Sequence, residues 1–105
     1  MIARIWRGAV RDSDRDAYVR YMERTGIAEY AATPGNLAAY MLTRDIGDGR
    51  VEVVMVTLWE SMAAVHEFAG PDADRAVFYP DDDRFLVDRD DTVTHYEVPL
   101  QRPAT

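Results

Sequence analysis

The sequence predicts an α+β domain of βαββαβ order, with two helices covering one face of a four-stranded antiparallel sheet. Three observations support that reading. Runs rich in β-branched and aromatic residues lie near both chain ends and flank a central Gly47-Asp48-Gly49 turn, which makes four strands. Two segments with apolar residues at three- and four-residue spacing lie between them, each entered through a serine and left through a glycine. The chain has 105 residues, 48% of them hydrophobic, which is enough to pack one core and leaves little room for a second domain. Residues 1–100 are read as that domain, and residues 101–105 as a flexible tail.

Residues 2–10 form the first strand, free of breakers before Gly8. Asp12 and Ser13 open the first helix. Ser13 and Asp16 make a capping-box-like pair, and Asp14 and Asp16 suit the positive end of the helix dipole. Ala17, Tyr18, Tyr21, Met22 and Thr25 share its apolar face, and Gly26 is the expected stop, with an irregular turn over residues 27–31. Thr33-Pro34-Gly35-Asn36 is a turn signal. Residues 37–46 and 50–60 are the second and third strands. Ser61 caps the second helix, on which Ala64, Val65, Phe68 and Ala69 share a face, and Gly70-Pro71 ends it. A short helix is expected from Asp72 to Tyr79, burying Ala73, Ala76 and Val77. An acidic connection over residues 80–91 and a last strand over residues 92–100 complete the ferredoxin-like, split-βαβ order.

A solvated sheet face requires alternation of apolar and polar residues. The third strand instead sets Val51, Val53, Met55, Thr57 and Trp59 on one side and Glu52, Val54, Val56, Leu58 and Glu60 on the other. The second strand repeats this, with Leu37, Ala39 and Met41 against Ala38, Tyr40 and Leu42. One face belongs under the helices; the other is an association site. Burying several hundred Å² there supplies on the order of 10 kcal/mol of gross drive at about 25 cal/mol per Å². A two-fold homodimer is the simplest closure.

Composition excludes several function classes. The net charge of −7 and the lack of a basic stripe argue against a nucleic-acid partner. With no cysteine there are no disulfides, thiol nucleophiles or thiolate metal sites. The longest aliphatic stretch, residues 53–56, is too short to span a bilayer, and residues 1–8 carry Arg4 and Arg7 in place of a signal peptide's apolar run. A cytoplasmic protein is expected. The acidic run Asp81-Asp82-Asp83, with Asp88, Asp90 and Asp91, lacks the glycine and terminal glutamate of a calcium loop. Arg84 and Arg89 interrupt it, so it reads as a solvated loop, and no metal site is expected.

The element order and Trp59-Glu60-Ser61 at the junction of third strand and second helix resemble the dimeric α+β-barrel proteins grouped as antibiotic biosynthesis monooxygenase-like. Phe68-Ala69-Gly70 and the closing Val93-Thr94-His95-Tyr96-Glu97-Val98 are similar to segments of uncharacterised members. The resemblance covers nearly the whole chain and implies a dimeric barrel. The group includes cofactor-independent oxygenases of polyketide aromatics and heme-degrading enzymes. The heme-degrading branch uses an asparagine on the first strand, a tryptophan before the second helix and a histidine a turn or two later. Trp59 matches the tryptophan; residues 1–10 hold no asparagine and residues 76–80 no histidine.

The candidate catalytic residues are Trp59 and His95. Trp59, where a strand end meets a capped helix, either stacks on a flat aromatic substrate or closes the core. His95 is one of two histidines and the candidate base for a phenol, or else a hydrogen-bonded sheet residue. His66, the other, reads as solvated. Arg4 and Trp6 share a strand face, and Arg4 either orients an anionic substrate or pairs with a carboxylate such as Glu97. Tyr18, Tyr21, Phe68 and Tyr79 either line a pocket with them or pack the core. The function expected is a cofactor-independent monooxygenase-like enzyme acting on a small phenolic or quinone-like aromatic. The alternatives are a non-catalytic small-molecule binder and, third, a heme binder.

Overall fold

A strand needs partners on both edges to bury its backbone polar groups, and the first strand has them. In the computed structural model, which describes Met1–Arg102, β1 (Ile2–Arg11) lies inside the sheet. β3 (Arg50–Trp59) pairs with it antiparallel from Ile2↔Trp59 to Arg11↔Arg50, and β2 (Asn36–Gly47) pairs with the far side of β3. Two short strands share the other edge of β1. β4 (Leu86–Arg89) pairs at Gly8, Ala9 and Val10, and β5 (Thr94–Glu97) pairs from Ile2 to Ile5. The path β2-β3-β1-β4, with β5 also on β1, is the split-βαβ order, an open antiparallel sheet of five strands.

The closing strand expected over residues 92–100 is the shorter β5, and the expected connection before it supplies an additional strand, β4, the two being separated by residues 90–93. Those residues turn aside to pair with residues 74–76, through Ala76 N–H to Asp91 O (2.9 Å), Val93 N–H to Asp74 O (2.8 Å) and an Arg75–Thr92 bridge. That pairing also explains why no helix forms between Asp72 and Tyr79. Ala76 N–H and the Asp74 carbonyl are taken by a neighbouring segment, and Pro80 disfavours helical geometry in the residue before it. The acidic connection contains a turn of helix, α4 (Asp82–Phe85), followed directly by β4.

The first helical region also departs from expectation. Asp12–Asp14 make a 3-10 turn, α1 (Arg15–Met22) follows, and Ser13 and Asp16 form no capping pair at its start. Gly26 does not stop the helix. A π-turn (Glu23–Ile27) carries it into α2 (Ala28–Ala32), with Thr25 Oγ1 donating to Tyr21 O at 2.7 Å. Gly26 is buried, and a Cβ there would lie 2.8 Å from Met22 Cε, so its use is close approach rather than termination. At the β2–β3 turn, Asp48 and Gly49 both take positive φ (54° and 70°), the geometry that an Asp-Gly hairpin favours. Ser61 Oγ accepts from Ala64 N–H at 3.2 Å to cap α3 (Met62–Ala69), and Gly70, at φ 81°, ends it.

The helices cover the face carrying Val51, Val53, Met55, Thr57 and Trp59, all buried, together with Tyr18, Tyr21, Met22, Tyr30, Val65 and Phe85. The opposite face is open, with Tyr40, Leu42 and Tyr96 at 53%, 50% and 55% exposure. Leu37 departs from its expected alignment with Ala39 and Met41. The register shifts between Asn36 and Ala38, and Leu37 stands half exposed at the bulge. No helix among the described residues is long and apolar enough to cross a membrane. Of the expected tail, Gln101 and Arg102 are exposed without secondary structure, and residues 103–105 lie outside the described residues.

Candidate functional site

Between the covered sheet face and the helices lies a cleft enclosing about 380 Å³, its open mouth included. Aromatic residues dominate the walls: Trp6 from β1, Tyr18 from α1, Tyr30 from α2, Phe68 from α3, and Phe78 and Tyr79 from the extended segment. Met22 and Met55 add pliable thioethers. Two charged residues, Arg4 and Asp82, complete it.

β-strand parity places Arg4 on the covered face, two residues before Trp6. Arg4 is 5% exposed and is held by Nη1 donating to Ala73 O, Nη2 donating to Arg75 O at 3.0 Å, and Nη1 donating to His95 Nε2 at 3.0 Å. None of these partners is anionic. Burial lowers the guanidinium's pKa, the nearby Tyr30 and Asp74 offset part of that, and an arginine remains charged all the same. Its Cζ lies 5.8 Å from the Phe68 ring centroid.

His95 faces Arg4 across the β1–β5 pairing. A guanidinium cannot accept a hydrogen bond, so Nε2 supplies the lone pair and Nδ1 carries the proton, directed at Asp74 Oδ1 3.4 Å away. Burial, then the charge of Arg4, lowers its pKa, which keeps the ring neutral. In this geometry His95 positions Arg4 and has no free nitrogen for a ligand.

Trp59 is fully buried and stands behind the cleft wall. Its indole donates to Thr57 Oγ1 at 2.8 Å, and its ring stacks on Phe68 with centroids 5.5 Å apart. Tyr30 meets Trp59 edge-on at 6.3 Å. Phe68 lines the cleft and Trp59 sets where Phe68 stands. Trp6 donates its indole N–H to Asp90 O at 2.7 Å and meets Phe78 edge-on. Of the predicted substrate contacts, Arg4, Trp6, Tyr18, Phe68 and Tyr79 converge on the cleft. Tyr21 does not: it packs on Phe85, and its hydroxyl accepts from Asp81 N–H at 3.0 Å, anchoring α4. His66 lies on the exposed side of α3, with Nδ1 2.9 Å from Gly70 O.

Asp82 corrects the reading of the acidic run as solvated loop. Its neighbour Asp83 is exposed, but Asp82 is 3% exposed and turns into the cleft lining. Oδ2 accepts from Tyr79 N–H at 2.6 Å, whereas Oδ1 and the Tyr79 hydroxyl are buried without a protein partner. Burial raises the carboxyl's pKa. The signal available in the sequence was Asp82 three residues before Phe85, which puts the carboxylate on the same side of a helical turn as an aromatic ring. Burial also holds the lining tyrosines protonated, the Tyr30 phenol being pushed up to about 12. Among the described residues no group of three His, Cys, Asp or Glu side chains is placed to hold a metal ion.

A crystal structure of a Bacillus cereus protein proposed to be an antibiotic biosynthesis monooxygenase superposes with TM-score 0.67 over 98% of this chain and 97% of that one, at 21% identity. The fold is that of the antibiotic biosynthesis monooxygenase-like proteins. A variant of MhuD, crystallised with two manganese protoporphyrin IX molecules per active site, shares this fold at TM-score 0.59 and 19% identity, over 99% of this chain and all of that one. No family model matches the sequence, and no curated protein matches it. The assignment of the fold therefore rests on shape.

Proposed function

We propose that this protein is a cofactor-independent monooxygenase-like enzyme whose substrate is a small phenolic or quinone-like aromatic bound in the Arg4–Asp82 cleft. One observation carries the reading: a buried guanidinium with no anionic partner lines a cleft whose other walls are mostly aromatic. A buried charge is costly unless paired, and an anionic oxygen on a flat ring would pair it. Phe68, Trp6 and the lining tyrosines offer faces and edges to the ring itself.

Oxygen chemistry ordinarily needs a cofactor; without one the substrate must supply the electrons. A phenolate is electron-rich enough to do so. A phenol with an unsubstituted para position and one O₂ give a para-quinone and one water, so no external reductant is required. The protein's part is to bind and orient the ring, keep water away and stabilise the phenolate at Arg4. His95 and Trp59 serve as positioning residues, the first through Arg4 and the second through Phe68. Oxygen uptake by the purified protein against a panel of polyphenols tests the reading. His95→Ala combined with Trp59→Phe is expected to lose turnover, and retained turnover would refute those roles. A ligand that quenches tryptophan fluorescence without oxygen uptake would favour the binding-protein alternative.

Heme binding is the weaker reading, because the cleft offers a porphyrin iron no free axial ligand. His95 is engaged with Arg4, His66 lies outside, and the lining tyrosines are held protonated. The working unit of the proposal is a homodimer. Tyr40, Leu42, Val54, Val56, Leu58, Ala3, Ile5 and Tyr96 form one apolar patch on the open face, bordered by the Arg7–Glu52–Arg44 ion-pair network. Such a patch, self-complementary and rimmed by charge, suits a two-fold interface.

A further inference from the structure

Deprotonating a phenol requires a base, and the cleft's obvious candidate is spent. His95 Nε2 holds Arg4, whose charge opposes any proton arriving there. The lining tyrosines have no anion to offer at neutral pH. Asp82 is different. Its backbone N–H is satisfied by Tyr79 O at 3.0 Å and its Oδ2 by Tyr79 N–H, while Asp81 N–H binds the Tyr21 hydroxyl. The carboxylate is therefore rigidly presented from α4, buried, and left with one free oxygen. An unpaired buried carboxylate oxygen is unfavourable, and a ligand hydroxyl is the partner that would relieve it.

We propose that Asp82 is the general base of this cleft, taking the proton of a phenolic or enolic hydroxyl bound there. In that step the ligand O–H bond breaks, a new O–H bond forms at Asp82 Oδ1, and the electron pair stays on the ligand oxygen. No oxidant takes part. Burial is the largest influence and favours the protonated carboxyl, as do Asp83 and Asp81 beside it, while the Tyr79 N–H hydrogen bond and Arg89 oppose them. Its proton affinity is thereby brought nearer to a phenol's, as transfer between them requires. The assignment rests on the phenolic reading of the cleft and adds its base.

The test uses 4-nitrophenol, whose phenolate absorbs visible light and whose neutral form does not, titrated into the full chain at mildly acid pH. Wild type is expected to bind it as phenolate. Asp82→Asn, which removes a carboxylate competing for the same proton, is expected to bind within about threefold of wild type with an equal or larger phenolate fraction, since a base sets the rate of proton transfer and not its equilibrium. In the oxygen-uptake assay Asp82→Asn should lower kcat roughly a hundredfold with KM little changed. A kcat for Asp82→Asn within about threefold of wild type overturns the base assignment and leaves the phenolic cleft standing. Failure of wild type to bind 4-nitrophenol overturns both. Phenolate bound without uptake of oxygen on any polyphenol removes the oxygenase reading and the base assignment with it. Should Asp82→Asn not fold, Asp82→Ser is read by the same criteria.

Discussion

If the open face of the sheet joins two copies, Tyr40 is the residue to remove. It stands opposite Val56 in the β2–β3 pairing, between Leu42 and Ala38 on the same face. At 53% exposure, and with a tyrosine presenting about 200 Å², it offers about 100 Å² to a partner. At about 25 cal/mol per Å² that is about 2.5 kcal/mol per copy, and a two-fold interface contains the residue twice. Tyr40→Ser should therefore weaken dimerisation by about 5 kcal/mol, more than a thousandfold in Kd, against an association cost that the whole patch must overcome. Folding should be unaffected, because the side chain contributes little to the core. Sedimentation velocity over a concentration series measures the constant. Val19→Ser, an exposed apolar change on α1, serves as a control expected to leave it unchanged. A Tyr40→Ser constant within about threefold of wild type, or a wild type monomeric at about 100 μM, would refute the interface.

Three further outcomes follow from particular contacts. Gly26→Ala gains about 1 kcal/mol of helix propensity while its Cβ pushes the end of Met22, a cleft residue, from 2.8 Å. The melting temperature should hold or rise while 4-nitrophenol binding weakens, and a loss of more than about 2 kcal/mol would mean Met22 has nowhere to go. Ser61→Ala removes the acceptor for Ala64 N–H and should cost about 1 kcal/mol in denaturant titrations. Glu52, hydrogen-bonded by Arg44 and Arg7, has its carboxyl pKa lowered from 4.5 to about 2. A carboxyl depressed in the folded state contributes stability above its unfolded pKa and loses it as pH falls. Thermal melts of Glu52→Gln should therefore lack the extra acid sensitivity that wild type shows between about pH 4.5 and 2.

What the chain determines by itself is what depends on near neighbours. Strand parity sets Arg4 and Trp6 on one face of β1 and alternates Val51, Val53 and Met55 with Val54, Val56 and Leu58, because successive side chains on a strand point opposite ways. Ser61, Gly70 and the Asp48-Gly49 turn act within a few residues and are read correctly from sequence. Gly26 misleads because its reason is a methyl group on the preceding turn and a tyrosine ring beyond, not its own backbone freedom. The expected helix over residues 72–79 fails for a non-local reason, since residues 91–93 take its hydrogen bonds.

The cleft belongs to the second category. Residues of one face are legible as a set, and five of the six expected substrate contacts do line one space. Which polar atoms in that space remain free is decided only when segments far apart in the chain meet. His95 looks like a base until Arg4, 91 positions away, takes its lone pair. Asp82 looks like one of several solvated acids until α4 docks on Tyr21 and buries it with one oxygen unpaired. Proton affinity depends on burial and on the nearest charge, and both are properties of the folded neighbourhood rather than of the residue.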